Sequence, residues 1–249
     1  MRIPKWLKWF LGTLSALVLG IFLLIQILSE SKPVGKTGPE ADALANKMLT
    51  AIDHPGWDTT GAVQWTFKSV HDFLWDKKRN LVKVNWDNYE VLVVLDQTTG
   101  RAWENGVEVT GPAGDKLVKT AWSHFCNDSF WLNAPAKIFD PGTERRIVEL
   151  PDGSQGLMIT YTSGGVTPGD SYLWYLEDNG LPKSYKMWVS IIPVGGMEFT
   201  WENWSTLSTG AKIATFHKSK VLELDISNLK GAPDLSAMGL SEDPFEPIL

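Results

Sequence analysis

The sequence predicts an α+β protein, mainly antiparallel β. An N-terminal transmembrane helix precedes one large curved sheet, and further helices pack on that sheet. Three observations predict this class. Residues 9–28 contain no charged side chain, in a chain of 249 residues that is 21% charged. Apolar residues recur at helical spacing over 40–54 and 114–133, and with period two over most of the remaining chain. Turn signals such as Asn105-Gly106 separate the period-two segments, which is typical of consecutive antiparallel strands.

The uncharged segment has the length of a membrane span. Its twenty residues, at about 1.5 Å each, make a helix of about 30 Å, the thickness of a bilayer's hydrocarbon core. Arg2, Lys5 and Lys8 precede it, which predicts an N-terminus in the cytoplasm and the rest of the chain outside. We therefore predict a single-pass anchor over 1–28 in the inner (cytoplasmic) membrane, with the bulk of the chain in the periplasm. The alternative is a signal peptide cleaved near 29–31 (SES), which would leave a secreted or periplasmic protein.

The segments on either side of the predicted domain lack periodicity. Residues 29–39 are small, polar and contain Pro and Gly, which is typical of a flexible linker. Residues 231–249 predict a loosely ordered tail, so that the folded domain spans 40–230. Residues 1–36 hold five of the 23 basic and one of the 29 acidic residues, which leaves a net charge of −10 on the rest. That charge excludes nucleic acid and an anionic membrane surface as primary partners.

Each element of the domain follows from its local pattern. Pro39 precedes the first predicted helix, 40–54, and Pro55-Gly56 ends it. Period-two alternation then predicts strands at 63–69, 71–76, 81–86, 89–96, 101–104 and 107–110. A helix, or a pair of short helices, over 114–133 interrupts the strands. They resume at 146–150, 156–162, 171–177, 183–191, 197–204, 211–217 and 221–227.

Tryptophan is unusually frequent in this chain. Of its 13 tryptophans, eleven follow the uncharged segment, and each indole can bury about 150–250 Å². They either form the core and walls of a rolled sheet, or several of them line an apolar cavity inside an unclosed barrel. On the second interpretation, the candidate ligand-binding residues are Trp65, Trp75, Trp86, Trp122, Trp131, Trp174, Trp188 and Trp201.

A glycine-rich loop between two predicted strands is the candidate rim of such a cavity. It contains Gly164, Gly165, Thr167, Pro168 and Asp170. Glycine permits positive φ and close backbone approach, proline restrains the turn, and an aspartate can accept hydrogen bonds from backbone amides. A rigid turn with no contact to a ligand is the alternative.

Three segments resemble an uncharacterised family of bacterial envelope proteins: 73–80 (FLWDKKRN), 127–132 (NDSFWL) and 161–170 (YTSGGVTPGD). Over about residues 40–228, the order of helix, long meander, inserted helix and second meander is similar to the lipoprotein carrier and receptor fold of the bacterial envelope. The resemblance implies an unclosed (half) β-barrel, capped by helices, whose apolar interior holds acyl chains. It transfers no functional residue of the carriers to this chain.

The sequence contains none of the motifs that mark common catalytic or metal sites. A single cysteine, Cys126, excludes an intramolecular disulfide and a multi-cysteine metal site. In His124-x-Cys126-x-Asp128, two-residue steps on a helix point about 200° apart, so on a helix the three side chains cannot bind one metal ion, whereas in an extended segment they could share a face. A buried thiol beside aromatic side chains is the interpretation that we favour. We therefore predict no metal, no cofactor and no catalytic residue.

Together these patterns predict a membrane-anchored, non-catalytic domain that binds an apolar or amphipathic ligand, such as a lipid acyl chain or a lipoprotein, in a half-barrel cavity. Two other classes stay open. Exposed aromatic side chains would make the domain an envelope protein–protein interaction module, whose partner the sequence does not identify. A hydrolase of unrecognised type would require Asp72, His124 or Asp170 to meet other polar groups in one cleft.

Overall fold

A computed structural model describes residues 4–163 and 167–249 of the chain. Its first helix, α1 (Lys5–Leu28), contains the 20-residue stretch Trp9–Leu28, which has a mean hydropathy of 2.4 and is not buried against the rest of the chain. Among the described residues, this is the one helix that is long and apolar enough to cross a membrane. A membrane anchor and a signal sequence both have these properties.

The strands after α1 form antiparallel sheets, as the sequence predicts. In the described residues they are β1 (Ala62–Phe67), β2 (His71–Asp76), β3 (Leu81–Trp86), β4 (Tyr89–Val94), β5 (Thr99–Glu104), β6 (Val107–Val109), β7 (Thr143–Glu149), β8 (Gln155–Tyr161), β9 (Ser171–Leu176), β10 (Pro182–Trp188), β11 (Met197–Thr200), β12 (Glu202–Thr206), β13 (Lys212–Lys218) and β14 (Glu223–Ala232). One sheet has the order β12-β13-β14-β1-β2-β3-β4-β5-β6, and the other has the order β11-β10-β9-β8-β7.

A single residue, Trp201, joins the two sheets. It separates β11 from β12, and its backbone N donates to the carbonyl O of Lys183 on β10 at 2.8 Å. On the other side, the backbone N of Lys218 on β13 donates to Oγ1 of Thr200 at 3.1 Å. The strands therefore continue from one sheet into the next, and the free ends are β6 and β7. Because β6 and β7 do not pair with each other in the described residues, the barrel is unclosed. The predicted α+β class with an unclosed sheet is confirmed.

The longest helix of the domain, α4 (Gly111–Asn133), packs on the face of the sheet that carries the core, which we call the inner face. It contacts β3, β4, β5 and β13. Its buried side chains Val118, Ala121 and Phe125 recur at steps of three and four residues, which is the spacing that predicted a helix here. The helix begins at Gly111 because Pro112 fits the first helical turn.

The single helix predicted over 40–54 is instead two helices, α2 (Pro39–Ala51) and α3 (His54–Thr59). Asp53 lies between them with a left-handed φ of +53°, and its carboxylate accepts a hydrogen bond from the backbone N of Gly56 at 3.4 Å. A capping carboxylate followed by Pro55 in the first turn starts a new helix and does not continue the old one.

The segment 29–36, predicted as part of a flexible linker, lies along the outer face and free end of the smaller sheet. Lys36 pairs with Ile147 of β7 through two backbone hydrogen bonds of 2.8 Å each. A Cβ at Gly35 would lie 2.8 Å from the Ile147 carbonyl O, so glycine permits this approach. Lys32 Nζ donates to Ser171 Oγ at 3.3 Å. These contacts are long-range in sequence, and composition alone does not reveal them.

The tail after β14 also differs from the prediction of a loosely ordered segment. Phe245 is fully buried on the outer face of the sheet, in a cluster with Leu81 and Leu92. The Arg79 guanidinium donates to both carboxylate oxygens of Asp243, at 2.5 and 2.9 Å. Leu81 and Leu92 face outward and must be shielded from water. The Phe245 ring of the tail covers them, and the ion pair between Arg79 and Asp243 holds the tail in place.

Candidate functional site

A partly enclosed cavity of about 370 Å³ lies between the C-terminal half of α4 and the inner face of β8, β9 and β10. This volume falls within the range of about 300–1,000 Å³ that is usual for ligand pockets. The apolar and aromatic members of its lining are Phe125, Phe130, Trp131, Pro141, Tyr161, Tyr172, Tyr185, Met187, Val189, Ile191 and Ile192. Its polar members are Cys126, Asn127, Ser129, Lys137, Asp140, Ser163, Thr167 and Asp170.

Three tyrosines from neighbouring strands form one wall of this cavity. Tyr161, Tyr172 and Tyr185 come from β8, β9 and β10. The Tyr172 ring lies 5.8 Å from the Tyr161 ring and 5.3 Å from the Tyr185 ring, centroid to centroid, with T-shaped geometry in both pairs. Phe130 of α4 packs on Tyr172 at 4.6 Å. The edge-on contacts fix the rings in place and give the cavity a rigid aromatic wall.

Two of these tyrosines have hydroxyl groups that are buried within the wall of the cavity. The hydroxyl oxygens of Tyr161 and Tyr185 are buried, and neither has a hydrogen-bond partner among the described residues. Burial raises the pKa of both phenols well above the usual value, so both remain neutral donors at physiological pH. A buried hydroxyl without a partner costs about 1–3 kcal/mol. A hydrogen-bond acceptor that reached either oxygen would remove that cost.

The described part of the predicted rim loop lies at the mouth of this cavity. Thr167 and Asp170 line it, whereas Gly164 and Gly165 lie outside the described residues. Asp170 is 5% exposed, and its carboxylate accepts from the backbone N of Ser190 at 2.9 Å and from Thr167 Oγ1 at 2.5 Å. Pro168 lies between these two residues. Asp170 therefore ties the rim loop to the segment after β10 and is occupied by structural hydrogen bonds.

The only cysteine also faces the cavity. Cys126 is half-buried in the lining. Burial raises the pKa of its thiol to about 11, so the group is protonated near neutral pH. A protonated thiol is a weak nucleophile, and this side chain behaves as a small apolar part of the wall.

Three of the eight candidate tryptophans fill the interior and do not line this cavity. Trp65, Trp174 and Trp201 are at most 2% exposed. The Trp65 ring stacks on Phe73 at 4.5 Å, and the Trp174 ring lies 5.0 Å from that of Trp201. For these residues the alternative interpretation, that they form the core of a rolled sheet, is the correct one.

The other candidate tryptophans occupy several different places. Trp75, Trp86 and Trp122 are half-buried and pack against the margin of the core. Trp188 lies on the outer face, where its indole N–H donates to the carbonyl O of Glu30 at 2.8 Å. It is out of phase with the inward-facing residues of β10, so it points to the opposite side of the sheet. In the described part of the chain, Trp131 is the one candidate tryptophan that lines the cavity.

A buried histidine lies next to Trp131 and Trp201. The His217 ring is 5.3 Å from Trp131 and 4.4 Å from Trp201, and it is fully buried. Its Nδ1 lies 3.2 Å from the carbonyl O of Thr200, which places the proton of the neutral ring on Nδ1. Burial lowers the pKa of His217 to about 4, so the ring is neutral at pH 7.

A histidine–aspartate pair lies on a different face of α4 from the cavity. His71 Nδ1 contacts Asp128 Oδ2 at 2.6 Å, and Asp128 is 2% exposed. His124, one helical turn before Asp128, stacks on His71 with ring centroids 4.0 Å apart. Burial, followed by the neighbouring His71, lowers the pKa of His124. Residues four apart share a helix face, so the spacing of His124 and Asp128 was a sequence signal that these two side chains lie together, but it does not indicate His71 as their neighbour.

The three residues named for the hydrolase alternative do not meet. Asp72 is out of phase with His71 on β2 and accepts from Thr66 Oγ1 at 2.5 Å on the outer face. Asp170 is at the cavity mouth, and His124 faces His71. Among the hydrogen bonds of the described residues, His71 makes none with a hydroxyl or thiol group.

A second hollow, of about 450 Å³, lies on the outer face beneath the tail. Asp72, Lys83 and Asn85 contribute charged and polar groups to its walls, beside Leu74 and Leu240. Its apolar lining consists of Trp65, Phe73, Leu74, Leu240 and Pro244, whereas the inner cavity has eleven apolar and aromatic lining residues. The inner cavity, with its aromatic wall, is therefore the stronger candidate for binding an apolar ligand.

A scan against protein-family models finds no match, and a search of curated proteins also finds none. Among solved structures, the chain is similar to a DUF1329 family protein from Desulfovibrio piger, with a TM-score of 0.42 and 13% sequence identity. The similarity covers 83% of this chain and 97% of the other. The name of that protein states no ligand and no activity.

Proposed function

We propose that this protein binds the apolar part of an amphipathic ligand, such as a lipid acyl chain or the acyl end of a lipoprotein, in the inner cavity and without catalysis. The observation that carries the proposal is a hollow of about 370 Å³ that the chain's own side chains leave unfilled. Each methylene moved from water into such a lining contributes about 0.8 kcal/mol. The order of elements, which is similar to the lipoprotein carrier and receptor fold, supports the same class of ligand.

The polar groups of the cavity favour an amphipathic ligand over a pure hydrocarbon. The buried hydroxyls of Tyr161 and Tyr185 can donate to an ester or amide carbonyl next to an acyl chain. Lys137 and Asp140, which line the cavity, contact each other at 2.6 Å, and the Asp170 carboxylate at the mouth is occupied by hydrogen bonds from Ser190 and Thr167. A neutral linkage group with a hydrocarbon tail fits this distribution.

The absence of catalysis is part of the proposal. The cavity's thiol is protonated near neutral pH, and its tyrosines are neutral. The His71–Asp128 pair lies on another face of α4. We also propose that α1 is retained as a single-pass anchor in the cytoplasmic membrane, with the domain in the periplasm, because basic residues precede it.

Ligand binding can be tested on the full chain, transferred from mild detergent into amphipol. Native mass spectrometry of protein expressed in bacteria should detect a bound lipid or acylated species. After delipidation, the protein should bind a fluorescent fatty-acid probe. The variant Cys126→Trp places a large ring in the cavity and should weaken probe binding at least tenfold.

The matched control is Ser123→Trp, which places the same ring on an exposed position of the same helix. It should bind the probe as the wild type does. Circular dichroism should show that both variants are folded. Equal probe affinity for folded Cys126→Trp and for the wild type, or no probe binding at all, would contradict the proposal.

A further inference from the structure

The segment 189–196 connects β10 to β11 and forms one side of the cavity mouth, and we call it the rim segment. Val189, Ile191 and Ile192 line the cavity. Ile191 is nevertheless 68% exposed, so a large apolar side chain reaches from the cavity into the surroundings. Ile191 and the partly buried Val189 and Ile192 together form an apolar edge at the ligand entrance, and contiguous exposed apolar surface marks sites of membrane or protein contact.

The residues that directly follow α1 hold the rim segment. Ser29 Oγ accepts from the backbone N of Gly195 at 2.9 Å, and the backbone N of Glu30 donates to the Gly195 carbonyl O at 2.9 Å. The Glu30 carboxylate accepts from Lys186 Nζ at 2.7 and 2.8 Å, and its carbonyl O accepts from the Trp188 indole. Together these contacts fasten the rim segment and the adjoining end of β10 to the residues that follow α1.

Glycine is required at this contact. A Cβ on Gly195 would lie 2.6 Å from the Trp188 ring and 2.9 Å from the Glu30 carbonyl O. Gly196 has a φ of +81°, and a Cβ there would lie 2.7 Å from the Glu30 side chain. The rim segment and the residues after α1 therefore fit each other closely.

The length of the intervening chain then fixes the distance from the membrane. The helix ends at Leu28, and Glu30 already bonds to the rim segment. Two residues of extended chain span at most about 7 Å. The headgroup layer on each side of the hydrocarbon core is about 5–8 Å deep.

We infer that the rim segment rests in the headgroup layer of the bilayer that α1 spans, so that the cavity mouth opens at the membrane surface. This inference rests on the proposed retention of α1 as an anchor. The occupant of the exposed Ile191 surface is the lipid bilayer itself. The net charge of −10 on the exported part opposes attraction to anionic lipid, so the contact depends on the tether and on apolar insertion.

The inference can be tested by fluorescence quenching on the full chain. Cys126→Ala removes the native thiol, and Ile191→Cys then carries a bimane label. The protein is reconstituted into phosphatidylcholine nanodiscs with or without brominated acyl chains. We expect at least twofold quenching at position 191. The same label at Val107→Cys, a similarly exposed valine on β6 at the free edge of the nine-stranded sheet, should be quenched less than 1.2-fold.

A spacer variant tests the distance directly. Twelve Gly and Ser residues inserted between Leu28 and Ser29 leave the contacts of Glu30 intact and lengthen the tether, so the quenching at 191 should be lost. Equal quenching at 191 and 107, or quenching that survives the spacer, would overturn the inference. Probe binding by the wild type in amphipol is measured separately, so that a failed rim contact is distinguishable from a failed ligand site.

Discussion

Removing the phenolic oxygen of Tyr185 should stabilise the ligand-free protein and weaken ligand binding. Tyr185 is fully buried, and its hydroxyl has no hydrogen-bond partner within residues 4–163 and 167–249. The wild type therefore bears the desolvation cost of that hydroxyl, about 1–3 kcal/mol. Tyr185→Phe keeps the ring and its T-shaped contact with Trp174 at 4.9 Å, and it removes only the oxygen. We expect the free energy of unfolding to rise by about 1–2 kcal/mol.

The same substitution should reduce the affinity for an acyl ester. A hydrogen bond from the Tyr185 hydroxyl to a ligand carbonyl would contribute about 0.5–1.5 kcal/mol. Its loss should raise the dissociation constant about two- to tenfold. A fatty-acid ester and a plain alkane of equal length can be compared directly, and only the ester should be affected.

Urea unfolding of the full chain in mild detergent, followed by tryptophan fluorescence, measures the stability change. Tyr175→Phe is the matched control, because Tyr175 lies on the outer face and is half-exposed. Its unfolding free energy should change by less than about 0.5 kcal/mol. A Tyr185→Phe variant less stable than the wild type by 1 kcal/mol or more, in the absence of ligand, would refute the reasoning.

Two further predictions concern stability. Burial lowers the pKa of His217 to about 4, whereas the unfolded chain has the usual histidine pKa of about 6.5. Between these two pH values the unfolded chain binds a proton that the folded chain does not. The free energy of unfolding is therefore highest above about pH 6.5 and decreases as the pH falls toward 4. Between pH 7 and pH 5 the wild type should lose about 2 kcal/mol more unfolding free energy than His217→Asn, in which an amide replaces the Nδ1 donor. Equal losses in the two proteins would contradict the lowered pKa of His217. Phe245→Ala should lower the free energy of unfolding by about 3 kcal/mol and speed proteolysis of the tail, since the ring fills the outer cluster with Leu81 and Leu92. The control Ala237→Gly, at an exposed alanine of the tail, should change neither quantity. A Phe245→Ala variant that is as stable and as protease-resistant as the wild type would show that this ring does not hold the tail.

The sequence predicted the strands and α4 well because their signals are local. Alternation over Met197–Thr200, and the spacing of Val118, Ala121 and Phe125, depend on which face of one element is buried. The pattern does not distinguish a side chain buried against a ligand from one buried against another ring. Trp65, Trp174 and Trp201 therefore looked the same as cavity residues, although they fill the core.

The tyrosine wall was missed, although period two contained a signal for it. Ile159 pairs with Tyr172 in the β8–β9 register, and Tyr185 pairs with Trp174 in the β9–β10 register. Once adjacent strands are paired, these side chains necessarily share the inner face. The same rule excludes Trp188 from that face. Strand register, which the sequence pattern left undetermined, was the missing step.

The contacts of 29–36 and of the tail could not be predicted for a different reason. Ser29 meets Gly195, and Arg79 meets Asp243, across more than 160 residues of chain. Neither segment has a periodicity, because each lies along a surface and forms no regular element. Only the folded sheet creates the places where they bind.

The pairing of Lys36 with β7 has a consequence for shortened forms of this protein. An uncovered terminal strand is a template on which a second molecule can add its own strand, and such additions lead to aggregation. A chain trimmed to begin after Lys36 would lose the pairing that now occupies Ile147. Such a chain should self-associate through β7 at concentrations where a chain beginning at Ser29 stays monomeric.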